Sequence, residues 1–381
     1  MNLILTLVFL VVLAVLGKYV FPKIPLNNLL QNFLNFSGFY YLLLGILLGP
    51  YVLNIFTQQV IEQSYFVFSL VLGWTGFLIG LQLNFKQIRR FQKTYYFNAL
   101  LYFLLNLFLI MGLLSIANYL IFNKLTFLER LLLAVAGSIS STITIGLLAR
   151  TKQFSTREGH FLEFLAAFDN VLGVLALGVL FAVFQFLNRQ SETDLIILVS
   201  AYFIVIFFSL IYKHLSRELQ SFEAQMLVIL SIILIIVAIS EILQNSVLFL
   251  SAILGMTIAN LKGVNIKKLY LLVQEWEKPL NFILLFFIGV VLQIKAVFVL
   301  TALFLFIVVI ANLITERIVL KKFSEKMGFQ TFGLSTVSLA IMLDAYLSGA
   351  KIELVSAIVI TYFLTNIFSI YYIKKNRMIA E

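Results

Sequence analysis

The sequence predicts an all-α polytopic membrane protein that forms a single membrane domain. Hydrophobic residues make up 62% of the 381 residues and charged residues only 12%, which is more apolar surface than a water-soluble domain can bury. Apolar stretches follow one another along the whole chain, and each is long enough to cross ~30 Å of hydrocarbon as a helix. No long polar stretch separates them, so we expect no soluble regulatory domain within residues 1–381.

About 13 of these stretches are expected to be transmembrane helices. They lie near residues 3–20, 37–56, 65–83, 97–122, 128–149, 160–187, 195–213, 225–243, 246–261, 278–294, 297–316, 330–348 and 353–373. The first resembles a signal peptide in length, but it has no positively charged start, and Lys18–Pro22 follows it instead of a small-residue cleavage site. We therefore interpret it as the first retained span.

The composition gives no support for a metal site or an enzyme. Cysteine is absent, and there are only two histidines. The acidic residues form no cluster with these histidines, and no nucleophile stands beside a base. We therefore expect no disulfide framework, no structural metal, no cofactor and no catalytic set.

The basic residues predict the orientation of the chain. Of the 27 lysine and arginine residues, 22 follow odd-numbered spans and five follow even-numbered spans. Cytoplasmic loops of membrane proteins are rich in these residues, so we expect the N-terminus outside and the C-terminus in the cytoplasm. The net charge of +10 then suits anionic membrane lipids and does not indicate nucleic-acid binding.

An internal repeat relates the two halves of the chain. Gly45–Pro50 resembles Ala252–Met256, and Phe77–Leu83 resembles Phe286–Leu292, in each case about 200 residues later. Seven spans separate the copies, and an odd number reverses the direction of insertion, so the repeats are inverted, as in many secondary transporters. The predicted units are repeat one near 37–187, a linker helix near 195–213 and repeat two near 225–373.

Polar interruptions lie at matching places in the two repeats. Ser138–Thr144 interrupts the fifth span, and Gly333–Ser338 interrupts the twelfth. A helix broken inside the membrane exposes backbone groups which, with nearby hydroxyls, can replace the hydration shell of a cation. The candidate ligands are Ser140, Ser141 and Thr142 in the first break, and Ser335 and Thr336 in the second. The alternative is that these hydroxyls only join helices or bond within their own turn.

One carboxylate stands near the centre of the sixth span. An ionised Asp169 there costs roughly 2.5–3.5 kcal/mol on insertion scales, and Asn170 follows it as a neutral ligand. An exchanger requires one group that holds either a proton or a cation, and Asp169 is the candidate for that role. The alternative interpretation is a structural aspartate paired with an amide or a hydroxyl.

Five other titratable residues near the spans are weaker candidates. Asp344 belongs to the second broken helix, where lining of the pathway and interfacial solvation fit equally well. We expect Glu163 near the mouth of the sixth span, Glu241 and Glu316 at the membrane interface, and His160 at the level of the headgroups.

Several stretches resemble motifs of the monovalent cation:proton antiporter-2 family, which includes Kef-type potassium efflux systems and bacterial sodium/proton exchangers. Leu47–Leu53 looks like its Gly-Pro-x-Val-Leu signature, and Phe77–Leu83 like its Phe-x-x-Gly-Leu-Glu-Leu motif. Ser138–Thr142 is similar to its Ser-Ser-Thr break, Asp169–Gly173 to its Asp-Asp-Val-Leu-Gly segment, and Phe286–Gly289 to its Phe-Phe-x-x-x-Gly stretch. Their order and spacing across the chain make the set specific.

The resemblance implies a sodium/proton antiporter fold with two crossed discontinuous helices, a homodimer, elevator-type alternating access and a bacterial or archaeal inner membrane. The chain departs from the family pattern in three places. Asn170 stands where the family has its second acid, Asn312 aligns loosely with a family lysine, and Gly333–Thr336 replaces a Pro-Arg-Gly-Glu stretch. Losing that acid and the lysine together leaves neither charge without its partner.

We therefore predict a secondary transporter that exchanges a monovalent cation, Na⁺ or K⁺, for protons, with one aspartate suggesting one-for-one exchange. Two alternatives stay open. The missing lysine and second acid also fit a channel-like potassium efflux pathway, or a family member that no longer transports and instead binds a partner. Hydroxyl and amide oxygens suit Na⁺ and K⁺ alike, so the sequence does not name the ion.

Overall fold

The computed structural model describes residues 38–89, 91–122, 125–149, 156–188, 192–219, 221–293, 298–320 and 333–380. Within these ranges the protein is helical, and its only pairing of extended backbone is an isolated bridge. The helices are α1 (Phe39–Leu48), α2 (Gln58–Gln63), α3 (Tyr65–Gln82), α4 (Phe85–Ile88), α5 (Lys93–Ala117), α6 (Phe127–Gly137), α7 (Thr142–Ala149), α8 (Thr156–Asn188), α9 (Glu192–Glu218), α10 (Phe222–Ile242), α11 (Val247–Asn260), α12 (Ile266–Gln274), α13 (Glu277–Val291), α14 (Phe298–Thr315), α15 (Thr336–Leu347) and α16 (Ile352–Ala380).

The predicted spans correspond closely to these helices. The first span, near 3–20, lies outside the described residues, and each of the other twelve coincides with one helix or with two half-helices. By length and composition, α3, α5, α8, α10, α14 and α16 can each cross a membrane. The fifth span is divided into α6 and α7, which confirms its predicted break. The described part of the twelfth span begins with three non-helical residues, 333–335, directly before α15 and at the predicted interruption.

The two inverted repeats pack against each other through two pairs of helices, each pair with one helix from each repeat. α1 packs against α13, and α3 packs against α11. In each repeat, the helix that carries the Gly45–Pro50-like stretch therefore meets the helix of the other repeat that carries the Phe77–Leu83-like stretch. Glycines let these backbones approach closely. A Cβ on Gly45 would lie 3.0 Å from the α-carbon of Gly289, and one on Gly255 would lie 3.1 Å from the carbonyl carbon of Gly80. The glycines within the repeated stretches are thus the places where the repeats touch.

The helices before the two breaks end alike. α5 runs into a π-helical turn at Asn118–Phe122, and α14 into one at Glu316–Leu320. Glu316, which is expected at the membrane interface, has a side chain that is 1% exposed and is therefore buried within the protein. Its turn packs against α5, and the following Val319 and Leu320 join an apolar cluster with Tyr102.

Candidate ion-binding site

The unwound stretches of the two broken helices pass each other inside the protein. The Ser141 amide donates to the Gly333 carbonyl at 2.6 Å, and the Ser335 amide donates to the Ile139 carbonyl at 3.2 Å. Both bonds belong to one antiparallel bridge. Backbone groups that a broken helix would leave unpaired in the membrane are in this way satisfied by the other repeat.

Each unwound stretch ends in a serine that starts the next half-helix. The Ser141 hydroxyl accepts from the Thr144 amide at 3.3 Å at the start of α7. The Ser335 hydroxyl accepts from the Val337 amide at 3.2 Å at the start of α15. These serines act as N-caps. The positive ends of α7 and α15 and the negative end of α6 therefore all lie at the crossing.

Asp169 lies against this crossing from α8. Its side chain is fully buried, and its Oδ2 atom accepts a hydrogen bond from the Ser140 hydroxyl at 2.9 Å. Its Oδ1 atom has no hydrogen-bond partner within the described ranges. A buried carboxylate oxygen without a donor is costly, so this oxygen is suited to binding a proton or a cation.

Asn170, the next residue of α8, contacts the other break. The Ser335 hydroxyl donates to Asn170 Oδ1 at 2.8 Å, and both side chains are buried. Asp169 therefore holds the first unwound stretch and Asn170 holds the second, so two neighbouring residues of one helix join both repeats.

The second repeat supplies a matching polar pair on α16, Thr365 and Asn366, which the sequence analysis missed. The Leu334 amide donates to Thr365 Oγ1 at 3.3 Å, and Asn366 Nδ2 donates to the Leu334 carbonyl at 3.0 Å. Thr365 lies 196 residues after Asp169, and the same distance separates Gly137 from Gly333 at the two breaks. Applying the offset of the breaks to Asp169 and Asn170 would have found the pair.

The other predicted ligands divide into two groups. Ser140, Ser141 and Ser335 are buried at the crossing. Thr142, however, is exposed, and Thr336 is half-buried at the start of α15, so neither joins the buried group.

Asn312 is buried on α14. It follows Val308 by one helical turn, and Val308 packs near Gly137 at the end of α6. Asn312 therefore lies on the face of α14 that looks towards the first broken helix.

Asp344 does not join the crossing. Its carboxylate accepts hydrogen bonds from the Ser246 hydroxyl and, at 3.2 Å, from the Val247 amide. The expectation of interfacial solvation is wrong, because the side chain is 1% exposed. Asp344 instead caps α11, where a carboxylate is favoured by the positive end of the helix.

A cavity of about 280 Å³ opens beside the start of α8 and is lined by the end of α3 and by α8 residues from His160 to Val171. His160 Nδ1 lies 4.0 Å from Glu163 Oε2, and both side chains are largely exposed. These positions agree with the expectation for Glu163 near a mouth. The cavity reaches Val171, two residues beyond Asp169.

Comparisons with known proteins agree with this architecture. The family model described as sodium/hydrogen exchanger, transmembrane, matches residues 11–374. The structure of the sodium proton antiporter MjNhaP1 from Methanocaldococcus jannaschii at pH 8 has a TM-score of 0.69 at 18% identity, covering 97% of this chain and 96% of that one. An electron-microscopy structure of MjNhaP1 has a TM-score of 0.61 at 17% identity, covering 98% and 96%. The comparison with curated proteins found no match.

The solved structures show that the fold is similar over nearly the whole chain, and the family model covers nearly all of the sequence. The predicted antiporter fold is thereby confirmed. The chain belongs to the sodium/hydrogen exchanger family of integral membrane proteins, secondary transporters that exchange a cation for protons.

Proposed function

We propose that Asp169 holds the proton and the cation in turn, and that the exchanged ions are protons and Na⁺ or K⁺. The observation that carries this proposal is the carboxylate at the crossing. Its Oδ2 atom is fixed by Ser140, and its Oδ1 atom has no donor in the described part of the chain. No ion pair described in the structure includes Asp169.

The coupling follows from competition for one buried group. A bare carboxylate at this depth is unfavourable. The binding site at the crossing therefore carries either a proton or a cation whenever it moves from one side of the membrane to the other. The two ligands exclude each other at Asp169, which gives one-for-one, electroneutral exchange. Ser140 and Asn170 complete the site with neutral oxygens, and Ser141 and Ser335 hold the two half-helices around it.

The hydrogen bonds at the crossing suggest which parts move together. α6, α7, α8, α15 and α16 are joined by direct bonds and form the moving unit. The interlocked helices α1, α3, α11 and α13 form the stationary frame of an elevator, within a homodimer. Repeat one at about 37–187, the linker helix at 195–213 and repeat two at about 225–373 are the units of this arrangement.

The finer assignments rest on sequence features. The motif set from Leu47 to Gly289 supports the antiporter-2 branch of the family. The excess of lysine and arginine after odd-numbered spans supports an outside N-terminus and a cytoplasmic C-terminus in a prokaryotic inner membrane.

Reconstituted transport tests the proposal. In proteoliposomes, an inward Na⁺ or K⁺ gradient should drive proton efflux, and Asp169→Asn should abolish it while the protein still elutes as a folded species. Asp344→Asn is the matched control, because it changes another buried aspartate that does not touch the crossing, and it should retain exchange. Unchanged proton flux in Asp169→Asn would refute the role of this residue. Cation flux without proton counterflow would instead select the channel-like alternative.

A further inference from the structure

A short amphipathic helix beside the frame has an outer face that the mechanism above does not use. α12 connects α11 to α13, so it lies where two spans end. Leu272 and Val273 are buried on its inner face, whereas Leu271 is 62% exposed and Trp276, just after the helix, is 49% exposed. Two large apolar side chains therefore face away from the protein near the membrane surface.

The attachments of α12 show how the helix lies. Its Tyr270 side chain interacts with Gln82, the last residue of α3, and its Val273 carbonyl accepts a hydrogen bond from Trp74 Nε1 at 3.4 Å. Trp74 stands eight residues before Gln82, which is about two helical turns. α12 therefore runs inward along α3, and its last turn and Trp276 lie deeper than its first turn.

The outer end of this surface is basic. Lys262, Lys267 and Lys268 are exposed there, and Leu271 follows Lys267 by one turn on the same face of the helix. A lysine can place its ammonium group among the headgroups while its carbon chain lies along apolar surface. The charged residues nearer the inner end are of both signs: Glu275, Glu277 and Lys278. The surface is thus cationic at its outer end and apolar at Leu271 and Trp276.

We propose that this surface binds an anionic phospholipid, with the headgroup phosphate at Lys262 and Lys267 and the acyl chains against Leu271 and Trp276. Charge complementarity favours this occupant, and lysine and tryptophan are typical of the boundary between headgroups and hydrocarbon. The proposed orientation puts α12 on the cytoplasmic side, where anionic lipids are abundant. α12 packs against α3 and α13, so the bound lipid holds the frame in place while the crossing moves; this consequence alone rests on the proposed function.

Quenching of tryptophan fluorescence tests the proposal, because the chain has two tryptophans. Trp74→Phe leaves Trp276 as the only reporter, and the matched control Trp276→Phe leaves Trp74, which is 3% exposed. Each variant is placed in phosphatidylcholine vesicles that contain the same small fraction of one brominated lipid. Brominated phosphatidylglycerol should quench Trp276 about twofold or more as strongly as brominated phosphatidylcholine, because each lysine attracts anionic lipid. Trp74 should show little quenching by either.

Lysine substitutions test the source of the preference. In the Trp74→Phe protein, Lys262→Gln together with Lys267→Gln should remove the difference between the two lipids, as should about 1 M salt, which screens charges beyond about 3 Å. Lys93→Gln, which changes an exposed lysine of α5, is the control and should keep the difference.

Three results would overturn the proposal. They are equal quenching of Trp276 by the two lipids, a preference for phosphatidylglycerol that survives the double lysine substitution, and no quenching by either lipid, which would indicate that protein covers Trp276. None of these readings depends on ion exchange. A wild-type protein without exchange would therefore refute the proposed function, and the quenching would still decide on the lipid site.

Discussion

The two sides of the crossing have the same architecture and different chemistry. α8 presents Asp169 to the first unwound stretch and Asn170 to the second. α16 presents Thr365 and Asn366 to the second stretch. Both pairs hold backbone or hydroxyl groups of the breaks, but only the first carries a charge. The repeat therefore builds the site, whereas one side chain, Asp169, makes it titratable.

A second comparison, between two buried acids, shows why Asp169 is the one that we propose as the ion carrier. Asp169 and Asp344 are equally buried. Asp344 accepts donors on both oxygens at the start of α11, whereas Asp169 Oδ1 lacks a donor within the described residues. Burial alone does not distinguish these two acids; the unsatisfied oxygen does, and the proposed role of Asp169 rests on it.

The largest expected effect comes from making the two sides alike. Asp169→Thr gives the first side the polar pair of the second, and we expect exchange to fall at least ~100-fold, because losing an interaction with a charged group costs about 1.5–3 kcal/mol and the proton carrier is lost as well. The initial rate of Na⁺-driven pH change in proteoliposomes measures it. Thr365→Ser keeps a hydroxyl on the second side and serves as the control. A residual rate within a few-fold of wild type would mean that the charged side is not special.

Removing one hydroxyl from each side should give unequal losses. Ser140 bonds to a carboxylate and Ser335 to a neutral amide, and bonds to charged groups contribute about 1.5–3 kcal/mol against about 0.5–1.5 kcal/mol for neutral ones. Ser140→Ala should therefore reduce the apparent Na⁺ affinity by about tenfold or more, and Ser335→Ala by only a few-fold. Equal losses in the same transport assay would contradict the asymmetry.

The packing of the repeats should respond symmetrically. A Cβ on Gly80 would collide with the Ala252 carbonyl, and one on Gly289 with the Leu42 carbonyl. Each alanine substitution should lower the free energy of unfolding in detergent by about 1–3 kcal/mol. Gly112→Ala is the control, since its Cβ would meet nothing within 4 Å, and alanine in place of a helical glycine should stabilise slightly. A loss confined to one of the two pairs would argue against equivalent interfaces.

The smallest expected effect concerns an ion pair between the repeats. Lys351 Nζ lies 2.8 Å from Glu129 Oε1, and the hydrogen bond with Glu129 raises the pKa of Lys351, which lies outside the spans, above its usual value. A raised lysine pKa stabilises the fold below the unfolded-state pKa, and this stabilisation is lost as pH rises through the folded-state pKa. The Lys351 side chain is half exposed, so we expect the ion pair to contribute less than about 1 kcal/mol.

Thermal unfolding of wild type and Glu129→Gln measures this contribution. The two proteins should differ near neutral pH and converge in alkaline solution, above the folded-state pKa of Lys351. A difference that grows with pH would have the wrong sign for this ion pair.

Much of this organisation is readable from the sequence, because hydropathy reports depth in the membrane and polar interruptions stand out against it. The broken helices and the buried position of Asp169 follow from that contrast. Depth does not reveal neighbours, however. Glu316 was expected at the membrane interface because it lies near the end of a span, and hydropathy did not indicate that its side chain is buried beside a π-helical turn that packs against α5. Asp344 was left between two interpretations because its partner, the start of α11, is distant in sequence.

Thr365 and Asn366 escaped for a different reason. Their chemistry is uncharged and common in membrane helices, so they are identified by the crossing geometry and by the repeat offset, and not by their residue types. Thr142 shows the opposite error, since it stands within the hydroxyl-rich stretch but turns outward once α7 begins.

The most direct measurement of the central claim is proton release on cation binding. Purified protein in weakly buffered detergent solution is titrated with Na⁺ while the pH is recorded. If the two ions compete for one carboxyl group, protons appear in step with Na⁺ binding and approach one per bound ion, and Asp169→Asn releases none. Na⁺ binding to wild type without proton release, or undiminished release from Asp169→Asn, would contradict the account.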